Sequence, residues 1–320
     1  MELNIKSGRK KHHGSKLARR NTLIAYSFLA PNFIGFAVFT MIPVICSILL
    51  SFASWKGGAL DTLKWVGTDN YETVFKTAKV AEKGIGYFFD KVDLGIALKN
   101  TVTYTVVTVP LTLICSVALA MVLNKAVKGA VAFRAIFFFP YVASMMAICT
   151  CWRLMLIKDG PVNQLLNTFG IAFNKTWTAD SNMAIWSIII VSVWRNMGYY
   201  MVIYLAALQG VPTELYEAAT VDGAGTWRKF IHVTLPQLRP TTFFASVMMV
   251  ISCFKIFDVV QIMTEGGPGR STKMLVTYIY TEAFSNHKYG NASAIAMVLL
   301  VIVLAVTIIQ FSMEKKFSND

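Results

Sequence analysis

Four charged residues interrupt the long apolar stretches of this 320-residue chain, and three of them lie deep: Arg195, Lys255 and Asp258. Arg195 has Ser192 three residues before it and Tyr199 four after, spacings that share one helix face, with Asn196 and Tyr200 beside it. Lys255 and Asp258 are three apart, Gln261 continues the row, and Phe254 and Phe257 lie alongside. Both stripes combine hydrogen-bonding groups with flat rings, a surface suited to recognising a polar ligand. Lys255 and Asp258 also fit an internal ion pair that does no more than neutralise their helix. A fourth charge, Arg153, lies near the end of its apolar stretch, where a long side chain reaches the headgroups.

Covalent and metal chemistry find no support in the rest of the sequence. A G-x-x-x-x-G-K-[ST] phosphate loop is missing, so the chain is not expected to bind ATP through one. The four His (His12, His13, His232, His287) form no H-E-x-x-H or tetrahedral set, and Cys149-Thr-Cys151 has no His support. G-x-S-x-G is missing too. Five scattered Cys give neither a C-x-x-C pair nor a disulfide framework, and are expected as small apolar packing residues.

The elements that carry these residues follow from composition. With 55% hydrophobic and 15% charged residues, the chain falls outside the balance of a water-soluble domain, which has about 25% charged residues. About 30 Å of hydrocarbon needs about 20 apolar residues in a helix. Six stretches qualify, at about 22–53, 101–124, 135–157, 182–209, 241–264 and 289–313, if one basic residue is tolerated in each of the third, fourth and fifth. A Lys or Arg at the bilayer centre costs about 2.5–3.5 kcal/mol, so those charges are expected to avoid lipid. Pro31 and Pro43 should kink the first helix or mark its ends. The expected fold is all-α and polytopic: a basic tail over 1–20, a six-span domain over 21–315 and a short tail over 316–320.

Net charge is +13, and its distribution gives orientation. The side holding both termini and the loops after the second and fourth spans collects fifteen Lys and Arg against six Asp and Glu; the other side has twelve against ten. Both termini are therefore expected in the cytoplasm. The basic balance needs no nucleic-acid partner.

The loop over 210–240 is polar yet patterned. Pro212 and Thr213 start a short helix over Glu214–Val221, with Glu214 and Glu217 placed to meet the positive end of its dipole. Gly223 and Gly225 allow a sharp turn, after which Trp227, Phe230, Ile231 and Leu235 fall on one face of a second helix that Pro236 ends. The pattern reads equally as a knuckle exposing Ala218, Ala219 and Ala224 to another protein, or as a loop lying on the membrane with Trp227 and Phe230 in the headgroups.

Glu217-Ala218-Ala219, Asp222-Gly223-Ala224, Phe230 and Thr234-Leu235-Pro236 resemble the EAA loop of permease subunits in binding-protein-dependent ABC importers. Phe257-Asp258, Met263-Thr264-Glu265-Gly266-Gly267-Pro268, Tyr278-Ile279-Tyr280 and Ala283-Phe284 extend the similarity to the maltose- and glycerol-phosphate-type carbohydrate permeases. Trp65-Val66-Gly67-Thr68-Asp69-Asn70-Tyr71 and Asn100-Thr101 fit the same group, so the resemblance covers roughly 22–315, apart from a segment around Lys76–Lys91. It implies the type I ABC importer permease fold in a bacterial cytoplasmic membrane. The implied partners are a second six-span permease, a pair of cytoplasmic ATPase subunits and an extracytoplasmic sugar-binding protein. No cofactor is implied, because ATP is used by the ATPase pair, and the subunit is not itself an enzyme.

By the same resemblance, Glu217, Ala218, Ala219, Asp222, Gly223 and Ala224 dock on the ATPase, and the middles of the fourth and fifth spans line the translocation pathway. Ser192, Arg195, Asn196, Tyr199, Lys255, Phe257 and Asp258 are then the substrate-pathway candidates, since sugars are held by hydrogen-bonding side chains and aromatic faces. The rival reading is an ion-gradient-driven secondary transporter, which needs no docking loop and commonly shows repeated halves. A membrane-embedded enzyme would need a convergent set of titratable residues that the sequence does not supply.

Overall fold

The computed structural model describes residues 16–124, 129–171 and 174–318. The basic tail up to residue 15, part of the expected cytoplasmic loop at 125–128 and the last two residues lie outside the described residues.

The helices, in chain order, are α1 (Lys16–Phe36), α2 (Ile42–Ser51), α3 (Asp69–Phe75), α4 (Thr77–Lys83), α5 (Ile85–Lys91), α6 (Asp93–Asn124), α7 (Ala130–Val142), α8 (Met145–Met155), α9 (Pro161–Thr168), α10 (Ala184–Gln209), α11 (Thr213–Val221), α12 (Thr226–Lys229), α13 (Leu235–Gln237), α14 (Arg239–Phe254), α15 (Asp258–Met263), α16 (Leu275–Tyr280) and α17 (Tyr289–Ser318). A two-residue hairpin pairs β1 (Ala53–Ser54) with β2 (Lys64–Trp65), antiparallel. Among the described residues, four helical runs are long and apolar enough to cross a membrane: Arg19–Ser51, Asp93–Asn124, Ala184–Gln209 and Tyr289–Glu314.

The chain falls into two compact units, divided between Leu49 and Leu50. In the first, α1 runs through Pro31 without a break, and a wide π-turn over Ala37–Met41 precedes Pro43. A proline cannot donate to the helical ladder, and the wider turn absorbs the missing bond.

In the second unit α6 and α10 pack along their lengths. A row of small polar side chains on α6 contributes one hydrogen bond to α10. Thr101, Thr105, Thr108, Thr112 and Ser116 form one buried row on α6, Thr101, Thr105 and Ser116 bond carbonyls one turn back, and Ser116 also donates to the Met197 carbonyl of α10 at 2.9 Å. Hydroxyls satisfied this way let helices meet closely in an apolar setting. The larger core joins α6, α8, α10, α14 and α15 around Tyr204, Met201, Ile188 and Met249. A second cluster joins α3, α6, α14, α16 and α17 around Leu94, Leu275 and Ile295.

Two expected spans are not single helices. The third, 135–157, is α7 and α8, bent by 97° across Ala143 and Ser144, three residues beyond Pro140. The fifth, 241–264, stops at Phe254 and resumes at Asp258. Helix dipoles favour this break: Lys255 caps the negative C-terminal end of α14, and Asp258 opens the positive N-terminal end of α15. Pro236, expected to end the second helix of the 210–240 loop, does not end it: helical backbone continues from α12 into α13. The widened turn Phe230–Thr234 before it makes the same accommodation as at Pro43.

The end of the molecule that carries the Gly-Gly-Pro motif is fastened by the motifs read from the sequence. Asn100 donates to the Arg270 and Lys273 carbonyls, at 3.0 Å each, and Thr101 accepts from the Leu275 N–H. Arg270 and Lys273 both pair with Asp93 at the start of α6. Asn70 donates to the Ser51 and Ala53 carbonyls at 2.9 Å, tying α3 to the hairpin. Of the five Cys, Cys149 and Cys253 are buried as expected, whereas Cys46 and Cys151 are exposed.

Candidate functional site

A cavity of about 220 Å³ lies at the break between α14 and α15 and the bend between α7 and α8, with α10 as a further wall. All seven substrate-pathway candidates line it: Ser192, Arg195, Asn196 and Tyr199 from α10, and Lys255, Phe257 and Asp258 from the break. Gln261, expected to continue the Lys255 row, does not, and Phe254 turns away into the second apolar cluster. The row assumed one continuous helix. With the backbone interrupted at Lys255–Phe257, the three-residue spacing no longer defines a face.

Arg195 is held by a residue that sequence reasoning missed. Its Nη2 donates to the Tyr141 carbonyl at 3.1 Å, and its guanidinium carbon stands 5.0 Å from the centre of the Tyr141 ring. Tyr141 stacks on Tyr199 with ring centres 4.4 Å apart and planes inclined by 18°, and Tyr199 meets Tyr200 edge-on at 5.1 Å. The result is an aromatic wall with a cation on one face. The last turn of α7 delivers Tyr141 next to Pro140. Gly198 makes this possible: it faces the Phe137 carbonyl with no space for a β-carbon, so α7 and α10 touch backbone to backbone.

Lys255 and Asp258 form no ion pair, with each other or with any other side chain among the described residues, and the neutralising pair allowed by sequence is not present. Arg153 hydrogen-bonds the Ile262 carbonyl at 3.1 Å, closing the C-terminal end of α15 rather than only reaching for headgroups.

The second candidate surface is the 210–240 loop. The helix α11 begins after Pro212, and the turn after it needs the left-handed backbone of Gly223, φ +73°. Gly225 is extended and caps α12, so only the first glycine is used for its conformational freedom. Cross-bonds hold the knuckle in shape: the Ala224 N–H to the Ala219 carbonyl at 2.8 Å, Lys229 to Thr220 at 2.7 Å, and Tyr216 with Thr234 at 3.1 Å. Glu217, Ala218, Asp222 and Gly223 are exposed, and Ala219 and Ala224 are half-buried. Val221, which sequence reasoning passed over, is 88% exposed at the end of α11. Trp227, Phe230 and Leu235 line an apolar hollow against α6, while Ile231 does not.

Residues 99–319 match the family described as binding-protein-dependent transport system inner membrane component. Among curated proteins the chain is 37% identical to the probable ABC transporter permease protein YesP of Bacillus subtilis, over 93% of this chain and 92% of that one. It is 32% identical to the lactose transport system permease protein LacF of Rhizobium radiobacter, over 93% and 96%. It is 31% identical to the arabinooligosaccharides transport system permease protein AraP of Halalkalibacterium halodurans, over 93% and 89%. A bacterial ABC transporter involved in the import of the acidic polysaccharide alginate contains a chain of the same fold, with a TM-score of 0.77 at 23% identity over 94% of this chain and 98% of that one.

Proposed function

The chain belongs to the binding-protein-dependent transport system inner membrane component family, and we propose that it forms half of a sugar or oligosaccharide pathway powered by a separate ATPase pair. It is a transporter permease subunit of a polytopic membrane family. Six membrane crossings, with both termini cytoplasmic, are the arrangement in which α7–α8 and α14–α15 each count as one broken span. A second permease supplies the facing half of the pathway, an extracytoplasmic binding protein delivers the sugar, and the membrane is the bacterial cytoplasmic one. Relatives named for lactose and for arabinooligosaccharides support the sugar class.

The observation that carries the reading is the meeting of seven polar and aromatic residues in one cavity at breaks in two apolar segments. Broken helices leave backbone and polar side chains that only a protein-lined, wet path can satisfy in a membrane. Energy enters at the other end. In the docked state Glu217, Ala218, Ala219, Asp222, Gly223 and Ala224 seat in a cleft of the ATPase, with Val221 as an apolar contact beside them. Closure of the ATPase pair on ATP then rocks the helices that carry the loop and switches the cavity between the two sides.

A cysteine placed at Ala219 tests the docking directly. In an assembled, transporting complex it is expected to crosslink to the ATPase subunit, and more strongly with ATP bound. An active complex with no such crosslink would count against the loop as the coupling element.

A further inference from the structure

We propose that the sugar passing the cavity carries a carboxylate, so that the transported class is acidic saccharides and Arg195 with Lys255 forms the acid-recognising pair. The proposal rests on the importer reading above and adds the charge of the cargo.

Among the described residues, the side chains of fixed charge that this chain contributes to the cavity are Arg195, Lys255 and Asp258, two cations and one anion. None of the three makes an ion pair among the described residues. The described cations that do form ion pairs lie outside the cavity: Lys99 with Asp90, Lys175 with Asp180, and Arg270 and Lys273 with a shared Asp93. Arg195 is half-buried among apolar helices, where water screens its charge less than at a surface, and Lys255 adds a second, exposed cation to the lining.

The geometry of Arg195 narrows the anion. One terminal nitrogen is spent on the Tyr141 carbonyl, and the ring below fixes the plane of the guanidinium. Its Nε is buried without a hydrogen-bond partner. A planar, two-oxygen acceptor matches the donors of such a fork, whereas a single hydroxyl satisfies one of them and neutralises nothing. A phosphate ester would bring a charge of about −1.5 to −2. With Asp258 on the same wall as the two cations, a monoanion is the better match to what this chain contributes. The Tyr141–Tyr199 stack offers the sugar ring a flat face, and Asp258 accepts from its hydroxyls.

The test uses the assembled importer, this chain with its partner permease, ATPase pair and binding protein, in proteoliposomes. The probes are a panel of galacturonate-, glucuronate- and mannuronate-containing di- and trisaccharides, each beside its carboxyl-reduced neutral counterpart, and a sugar phosphate. ATP-dependent uptake of at least one uronate in preference to its reduced form is expected. Lys255→Gln and Arg195→Gln should each raise the half-saturating concentration for that uronate by about tenfold, the worth of one charge-assisted hydrogen bond. Arg195→Lys, which keeps charge but loses the fork, should recover only part of it, and Lys255→Gln, at an exposed side chain, controls for misfolding. Uptake of neutral sugars or the sugar phosphate with every uronate refused would overturn the proposal while leaving the importer reading intact. ATP-dependent uptake of nothing in the panel, neutral or acidic, would count against both.

Discussion

Arg195 of α10 is anchored by Tyr141 of α7, through a 3.1 Å hydrogen bond to its carbonyl and a 5.0 Å approach to its ring. Tyr141 in turn stacks on Tyr199, one helical turn beyond Arg195, so cation and aromatic wall form one unit built from two helices. The unit depends on how closely α7 and α10 approach.

That approach is set at Gly198. An added β-carbon would collide with the Phe137 carbonyl, which is backbone and cannot swing away. Gly198→Ala is expected to destabilise the purified protein by about 1–3 kcal/mol, the usual cost of overpacking, and to weaken substrate-dependent transport by separating Tyr141 from Tyr199. Gly86→Ala, where a β-carbon meets nothing, is the control and should leave the melting temperature unchanged or slightly higher. Equal melting temperatures for the two variants would show that the helices do not need this contact.

Lys255 and Asp258 are expected to behave as independent residues. Asp258→Asn should leave membrane accumulation normal and alter transport affinity, and a double-mutant cycle with Lys255→Met should give a coupling energy of no more than about 0.5 kcal/mol. If Asp258→Asn abolished accumulation and the pair Lys255→Met with Asp258→Leu restored it, the two would be a structural ion pair after all.

The contrast between these stripes shows what the sequence could disclose. Ser192, Arg195, Asn196 and Tyr199 were legible because α10 is unbroken over 26 residues, so spacing translates into a face. The Lys255 row was misjudged because spacing is meaningless across the interruption at Lys255–Phe257, and no proline or glycine marks that interruption. Tyr141 was invisible for another reason: it lies 54 residues from Arg195, and only tertiary packing brings the two together. A tyrosine directly after Pro140 in an apolar stretch was the one available hint. Four apolar helices and the 210–240 knuckle were readable from hydropathy and turn chemistry, while Pro236 was misread because the widened turn that lets helical backbone pass through it has no signature in the sequence.

Asn100 should prove a positioning residue for the Gly-Gly-Pro loop. Replacing it with Asp removes two donors and sets an acceptor against the Arg270 and Lys273 carbonyls. A loss of about 1–3 kcal/mol of local stability is expected, read as faster hydrogen exchange over residues 264–275 with exchange in α10 unchanged. Unaltered exchange in that loop would mean that the Asp93 ion pairs hold it unaided.

At the knuckle, Glu217→Lys and Gly223→Pro should insert normally, because neither residue lies in an apolar span, yet abolish ATP-driven uptake. Gly223→Ala is the milder test. A left-handed backbone costs a non-glycine residue about 1–2 kcal/mol, so this variant should transport at a reduced rate with the ATPase bound more weakly. Full uptake by Glu217→Lys in a complex that retains its ATPase would remove the loop from the coupling path.

The central claim is that this chain is one subunit of an ATP-driven importer and inert alone. The most direct measurement compares sugar uptake into liposomes holding the purified chain under an imposed proton or sodium gradient without ATP, against liposomes holding the chain with its second permease, its ATPase pair, ATP and the loaded binding protein. The account expects no accumulation in the first and accumulation in the second, with hydrolysis stimulated by the loaded binding protein. Robust gradient-driven uptake by the chain alone would contradict it.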